Sequence, residues 1–212
     1  MGAGSLWTDL QIITKALQEL YKKHNFSFDI YGLTAEPLEA AMYWNQKMLE
    51  GNYQPEKNDY FKAALIFYDG IKQLKGRHYP FMPPELHPTV LSRCQFDIGL
   101  APLEDNEFNR NKSDIKFSEY VSTGAVCLAS DIEPYKSSGT FYRAKNNWKD
   151  WHNKLEKLIV DVKFRGELFK KQQEWVKKYR SLEAIGLLWE IACQKSGGLK
   201  VKNQIGWRNL IK

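Results

Sequence analysis

An α/β fold, a doubly wound parallel sheet with helices on both faces and a helical C-terminal segment, is what three features of this sequence predict. A helix-then-strand step lies near the start, a strand–helix–strand unit runs from Phe96 to Ala129, and amphipathic stripes fill the last third.

Thr8-Asp9-Leu10-Gln11 has the form of a capping box, in which the Thr8 hydroxyl and the Gln11 side chain satisfy amides left open by the first helical turn. The helix that follows sets Leu10, Ile13, Leu17, Leu20 and Tyr21 on one apolar stripe, away from Lys15, Glu19, Lys22 and Lys23. Phe26 to Tyr31, aromatic and apolar and stopped by Gly32, reads as a strand. An insertion occupies about 36-80, with a helix from Leu38 to Glu50, a polar break at Gly51-Asn52-Tyr53-Gln54-Pro55, and an apolar piece from Phe61 to Tyr68 that suits helix or strand.

Pro83-Pro84 breaks the chain, and Pro88 suits the first turn of a short helix carrying Val90 and Leu91. Phe96 to Ala101 reads as a buried strand, ended by Pro102, which cannot donate to a central ladder. A helix from about Ile115 to Ser122 follows, and Gly124 stands where a left-handed residue is wanted after a helix. Ala125 to Ala129 is nearly all apolar, as in a parallel strand covered on both faces, which completes a βαβ unit. Trp151, Leu155, Leu158, Ile159 and Val162 form one helical stripe, and Leu168, Trp175, Val176 and Tyr179 another. Ser181 caps a final helix with Leu182, Ile185, Leu188, Trp189 and Ala192. One domain over 1-195 and a basic flexible tail over 196-212 are therefore expected, with no internal repeat.

Composition excludes several classes. With 43% hydrophobic and 14% aromatic residues among 212, the chain is not globally disordered. No apolar run approaches the roughly 18 residues that span a bilayer. Met1 to Ser5 lacks the basic head and apolar stretch of a secretory signal, so a cytoplasmic protein is expected. Cys94, Cys127 and Cys193 are odd in number and far apart, without a CxxC pair, against a disulfide framework or a zinc site. Cys94 and Cys127 read as packed thiols. His24, His78, His87 and His152 lack metal-ligand spacing, so no metal is expected. His78, Tyr79 and Phe81 suit contact with a nucleotide base or ordinary packing.

The net charge of +6 fits an anionic partner: nucleic acid, a membrane surface or a phosphorylated small molecule. Lys170, Lys171, Lys177, Lys178 and Arg180 lie on the polar side of an amphipathic helix, where a solvated face is expected. The basic residues do not cluster around aromatic stacking positions, and no nucleic acid is expected as a partner.

The loop from Pro102 to Asn111 runs from the carboxyl end of a strand to a helix start, where ligands bind in open parallel sheets. Lys112 and Lys116 flank that start, and Ser113 lies between them. Glu119, one turn beyond Lys116, could accept hydrogen bonds from a ribose diol, or it could form an exposed (i, i+3) ion pair with Lys116. Gly4 and Ser5, ahead of the first helix, suit phosphate cradling or an ordinary turn.

In the order of these features the chain resembles the C-terminal, donor-binding domain of GT-B-fold retaining glycosyltransferases of the group 1 family, glycosyltransferase family four. The likeness rests on Asp97-Ile98-Gly99-Leu100-Ala101-Pro102, Lys116-Phe117-Ser118-Glu119-Tyr120, Gly124 and Val126-Cys127-Leu128-Ala129-Ser130-Asp131, and extends loosely from Gly2 to about Gln194. It implies a Rossmann-like domain that binds a nucleotide diphosphate-sugar, UDP- or GDP-linked, as substrate and without a separate cofactor. Glu119 would bind the ribose hydroxyls, and Lys116 would neutralise diphosphate or touch the sugar. Asn111 stands where many members have a second, sugar-binding glutamate, and Gly2 to Thr8 lacks the arginine and lysine that hold the diphosphate.

The resemblance further implies an acceptor, a glycan or lipid-linked glycan, bound by an N-terminal GT-B domain for which this length has no room. The chain is then expected to be a fragment, a truncated product or a subunit that needs a partner, and no catalytic residue is assigned to it. A peripheral contact with the inner face of the membrane suits the positive balance. The alternative function is a non-catalytic nucleotide-binding or protein-interaction α/β module.

Overall fold

The structure is a computed structural model that describes residues 4–31, 59–79, 83 and 85–186. In chain order the elements are α1 (Gly4–Tyr21), β1 (Ile30–Tyr31), α2 (Asp59–Ile71), β2 (His78–Tyr79), α3 (His87–Cys94), β3 (Ile98–Ala101), α4 (Glu107–Arg110), α5 (Ile115–Ser122), β4 (Val126–Ser130), β5 (Arg143–Ala144), α6 (Trp148–Val160) and α7 (Val162–Tyr179). Among the described residues the strands form two parallel sheets, β1 with β2 and β3-β4-β5 in that order. The fold is mixed α/β, with parallel strands and helices as the sequence predicts.

The βαβ unit forms as its residues predict. Ile98 pairs with Val126 and Ala101 with Ala129, and α5 crosses between them. Alternate side chains of β4 enter different clusters, because successive residues of a strand point to opposite sides. Val126 and Leu128 join Ile13, Leu17 and Leu20 of α1 and Trp151, Leu155 and Leu158 of α6. Cys127 and Ala129 join Phe117 and Val121 of α5 and Val176 of α7. Burial of all five β4 residues explains the apolar run from Val126 to Ala129.

Two glycines of this unit have physical reasons. Gly124 has φ +101, the left-handed turn that releases the chain from α5 into β4. Gly99 lies beneath the Tyr120 ring, where an added Cβ would collide with it. The Tyr120 hydroxyl donates to Leu100 O at 3.2 Å, tying α5 to β3.

Several expectations are corrected. Helix α1 begins at Gly4, so Gly4 and Ser5 lie in its first turn and Thr8 lies a turn inside, not at its cap. The added turn is anchored by Trp7, whose ring packs at 5.2 Å from Tyr68 and 6.2 Å from Phe67 of α2. The strand expected over Phe26 to Tyr31 is reduced to Ile30–Tyr31, although Phe28 N–H already donates to Lys75 O at 2.8 Å. The ambiguous piece from Phe61 to Tyr68 belongs to helix α2, whose Ala63, Ala64, Phe67 and Ile71 are buried against α1. Val162 is exposed at the start of α7 and leaves the stripe of α6, because the chain turns at Asp161.

The other expected features hold in place. Pro88 lies in the first turn of α3, and α5 spans the expected Ile115–Ser122. Ser181 Oγ accepts from Ala184 N–H at 3.2 Å, as a helix cap does. The expected helix from Leu38 to Glu50, the residues from Leu188 onward with Cys193 and the basic tail, Phe81 and Gly2 lie outside the described residues.

Candidate functional site

Beyond the carboxyl end of β3 the chain folds back onto α1 through one carboxylate. Glu104 N–H donates to Asp9 Oδ1 at 2.6 Å, and Asn109 Nδ2 donates to the same oxygen at 2.9 Å. The Asn109 amide also donates to Glu104 O at 2.8 Å, which closes the loop around Asp9. Both side chains are buried, Asp9 being 1% and Asn109 0% exposed. Asn109 Oδ1 has no hydrogen-bond partner.

Two cations meet this carboxylate. Lys112 Nζ lies 3.6 Å from Asp9 Oδ2, and partly buried Lys116 is close enough for its charge to act on Asp9. Burial pushes the Asp9 carboxyl above its ordinary range, against the opposing pull of the Glu104 amide and both lysines. Burial likewise pushes the Lys116 ammonium below its ordinary range, Asp9 favours the charged form, and Lys112 repels it. A buried anion and two cations thus hold one another at the end of the sheet.

Helix α5 aims its other side chains by its period. Phe117 and Val121 are buried, Tyr120 covers Gly99, and Glu119 remains 36% exposed on the turn after Lys116. Glu119 Oε1 lies 3.8 Å from His87 Nδ1, an ion-pair distance when the imidazole is protonated. The His87 ring meets Tyr31 edge-on at 4.9 Å. Tyr31 hydroxyl and Ser118 Oγ, both buried, have no hydrogen-bond partner.

The start of α5 is already balanced. The Asp114 carboxylate stands at its N-cap without bonding an amide there, and Arg180 Nη2 donates to its two oxygens at 2.9 and 2.8 Å. An anion expected at that helix start would meet this carboxylate, so the cationic centre lies with Lys112 and Lys116.

The residues expected from the sequence are therefore only partly gathered. Lys112 pairs with Asp9, Lys116 acts on the same carboxylate through its charge, and Glu119 lies one turn further along α5. Gly4 and Ser5 begin the helix that carries Asp9. Ser113 is exposed, and exposed Asn111 donates its amide to Glu107 O at 2.9 Å at the end of α4. Asp9, Asn109, His87 and Tyr31 were not assigned to the site from sequence. Asp9 carried a signal: it continues the buried stripe of Ile13, Leu17 and Leu20, where a charge needs a partner. Asn109 carried none.

Other candidates resolve into packing and surface. His24 Nε2 pairs with Glu156 Oε1 at 2.9 Å, and His152 Nδ1 lies 3.8 Å from Glu156 Oε2. His78 is exposed in β2. Lys170, Lys171, Lys177 and Lys178 are exposed along α7. Among the described residues no group of three or more His, Cys, Asp or Glu could hold a metal ion, and no helix is long and apolar enough to cross a membrane.

Compared with models of known families, with curated proteins and with solved structures, the chain finds no match.

Proposed function

We propose that this chain binds the diphosphate and ribose of a nucleotide diphosphate-sugar, as the donor-binding half of a retaining glycosyltransferase. The observation that carries the reading is the convergence of Lys112 and Lys116 at the carboxyl end of β3, with Glu119 one turn further along α5. Two ammonium groups suit a diphosphate, and a half-exposed carboxylate suits a ribose diol. The division of β4 side chains between two helical layers supports a doubly wound, Rossmann-like sheet, and the ligand would then sit beyond the strand ends.

In the reaction the bond from the anomeric carbon to the diphosphate oxygen breaks, and one from that carbon to the acceptor hydroxyl forms. The hydroxyl proton ends on the departing phosphate or in solvent. Lys112 and Lys116 would lower the barrier by stabilising charge that grows on the diphosphate, and Glu119 would orient the donor. The acceptor, a glycan or lipid-linked glycan, would be held by a separate GT-B domain, in the cytoplasm or at the inner membrane face.

The pairing of Lys112 with Asp9, whose charge also acts on Lys116, favours a second reading, a nucleotide-binding or interaction module without transfer chemistry, because the positive charge is partly neutralised. Calorimetric titration with UDP, GDP and ADP tests the first. Selective binding of one nucleotide, lost in Glu119→Ala, is the expected result. Binding that ignores the base and the substitution, or no binding, would transfer the weight to the second.

A further inference from the structure

We propose that Asp9 is a built-in counter-anion that an incoming diphosphate must displace from Lys112 and Lys116, so that it sets the negative charge a ligand needs. The inference rests on the reading that these lysines receive the anionic part of the ligand, and it adds a control on that same site.

Asp9 is 1% exposed and its Oδ1 accepts two hydrogen bonds, from Glu104 N–H at 2.6 Å and Asn109 Nδ2 at 2.9 Å. It therefore cannot rotate into solvent when an anion arrives. Its Oδ2 is the oxygen that faces Lys112 Nζ at 3.6 Å. The lysines are the movable partners, since Lys112 is 26% exposed and each lysine has a flexible stem.

Charge follows from this geometry. With Asp9 ionised, the cluster carries two positive charges and one negative, and a second anion beside a fixed buried carboxylate meets repulsion that water screens poorly. A monoanion gains too little from one lysine to offset that repulsion. A diphosphate can engage both lysines, and the carboxylate it leaves behind is then relieved by taking up a proton. Burial already favours that protonation. The charged and titratable groups around Asp9 are Lys112, Lys116 on α5, and the buried Tyr135 phenol after β4, which burial keeps neutral. Lys116, whose ammonium burial pushes below its ordinary range, is the other group there that can gain a proton; uptake at Asp9 is the share that Asp9→Asn removes, and anion binding is coupled to it.

Asp9→Asn is the discriminating variant, because an amide oxygen at the same place keeps both Oδ1 hydrogen bonds and removes the charge. The probe is inorganic pyrophosphate, titrated calorimetrically into the whole chain at about pH 6 and about pH 8, in buffers of different ionisation enthalpy. The variant is expected to bind pyrophosphate about tenfold more tightly than the wild type. The wild type is expected to take up more protons on binding than the variant, the difference being the share of Asp9, while Lys112→Gln weakens binding in both backgrounds. Equal or weaker binding by a folded Asp9→Asn protein overturns the inference, as does failure of both proteins to bind. Should the variant not fold, the wild type decides alone, and pyrophosphate binding without proton uptake overturns it. Pyrophosphate has no ribose or base, so this outcome is separate from that of the donor reading. A pyrophosphate response with no selective nucleotide binding would retain Asp9's role and reject the transferase.

Discussion

Gln172 of α7 grips both backbone polar groups of Cys127 in β4: Oε1 accepts the Cys127 N–H at 2.8 Å and Nε2 donates to the Cys127 carbonyl at 2.8 Å. The same Nε2 donates to Thr140 O at 2.5 Å. A side-chain amide thereby takes the place of a neighbouring strand, because β5 reaches only Ala129 and Ser130. Gln172→Leu keeps the bulk and orphans a buried donor and two acceptors. A loss of about 2–3 kcal/mol is expected in urea unfolding. A loss below the scatter of surface substitutions would mean that another group or water serves Cys127.

Gly99→Ala places a methyl group into the Tyr120 ring, and the ring cannot retreat without moving α5. Overpacking should cost about 1–3 kcal/mol by thermal or chemical unfolding. Because α5 also carries Lys116 and Glu119, anion affinity should fall with stability. In Gly99→Ala/Tyr120→Leu the clash is relieved, and stability should partly return. A fully stable Gly99→Ala protein would contradict the packing described.

The βαβ unit was legible because local chemistry marks its ends. Pro102 stops β3, Gly124 has the positive φ its position asked for, and Phe117 and Val121 give α5 a buried stripe. The start of α1 was not legible. Glycine and serine disfavour helix interiors, yet Trp7 finds Phe67 and Tyr68 some sixty residues away in the chain, and that burial extends the helix. Strand β1 was overread for a related reason. Phe26 and Phe28 have strand-like side chains, but they pack into the core around α1, and the paired ladder holds only Ile30 and Tyr31. Lys112, Lys116 and Glu119 stood out by type and spacing. Their partners Asp9 and His87 come from distant segments, which spacing within one helix does not reveal.

The acid limb of stability should carry a contribution from Asp131 and Arg143. The hydrogen bond from Arg143 Nε to Asp131 Oδ1 at 2.8 Å holds the carboxyl below its ordinary range. Its stabilisation is thus complete above the carboxylate range of the unfolded chain and disappears as pH falls through the lower folded value. Arg143→Gln should lower the unfolding free energy near neutrality and match the wild type in acid. A gap between the two proteins that does not narrow on acidification would exclude this linkage.

Thiol chemistry should separate Cys94 from Cys127. Cys127 is buried in β4, and burial pushes its thiol above the ordinary range, whereas Cys94 is partly exposed at the end of α3. Iodoacetamide on the native protein, followed by peptide mass spectrometry, should label Cys94 and spare Cys127 until denaturant is added. Native labelling of Cys127 at a comparable rate would show that β4 opens without global unfolding.

The bond between Arg180 and Asp114 makes the end of one helix a tether for the head of another. The chain beyond Arg180 is thus tied to Asp114 at the N-cap of α5. Because α5 is only two turns long, a tilt at Asp114 swings Lys116 and Glu119 with it. The polypeptide that leaves α7 is thereby joined to the helix that carries Lys116 and Glu119.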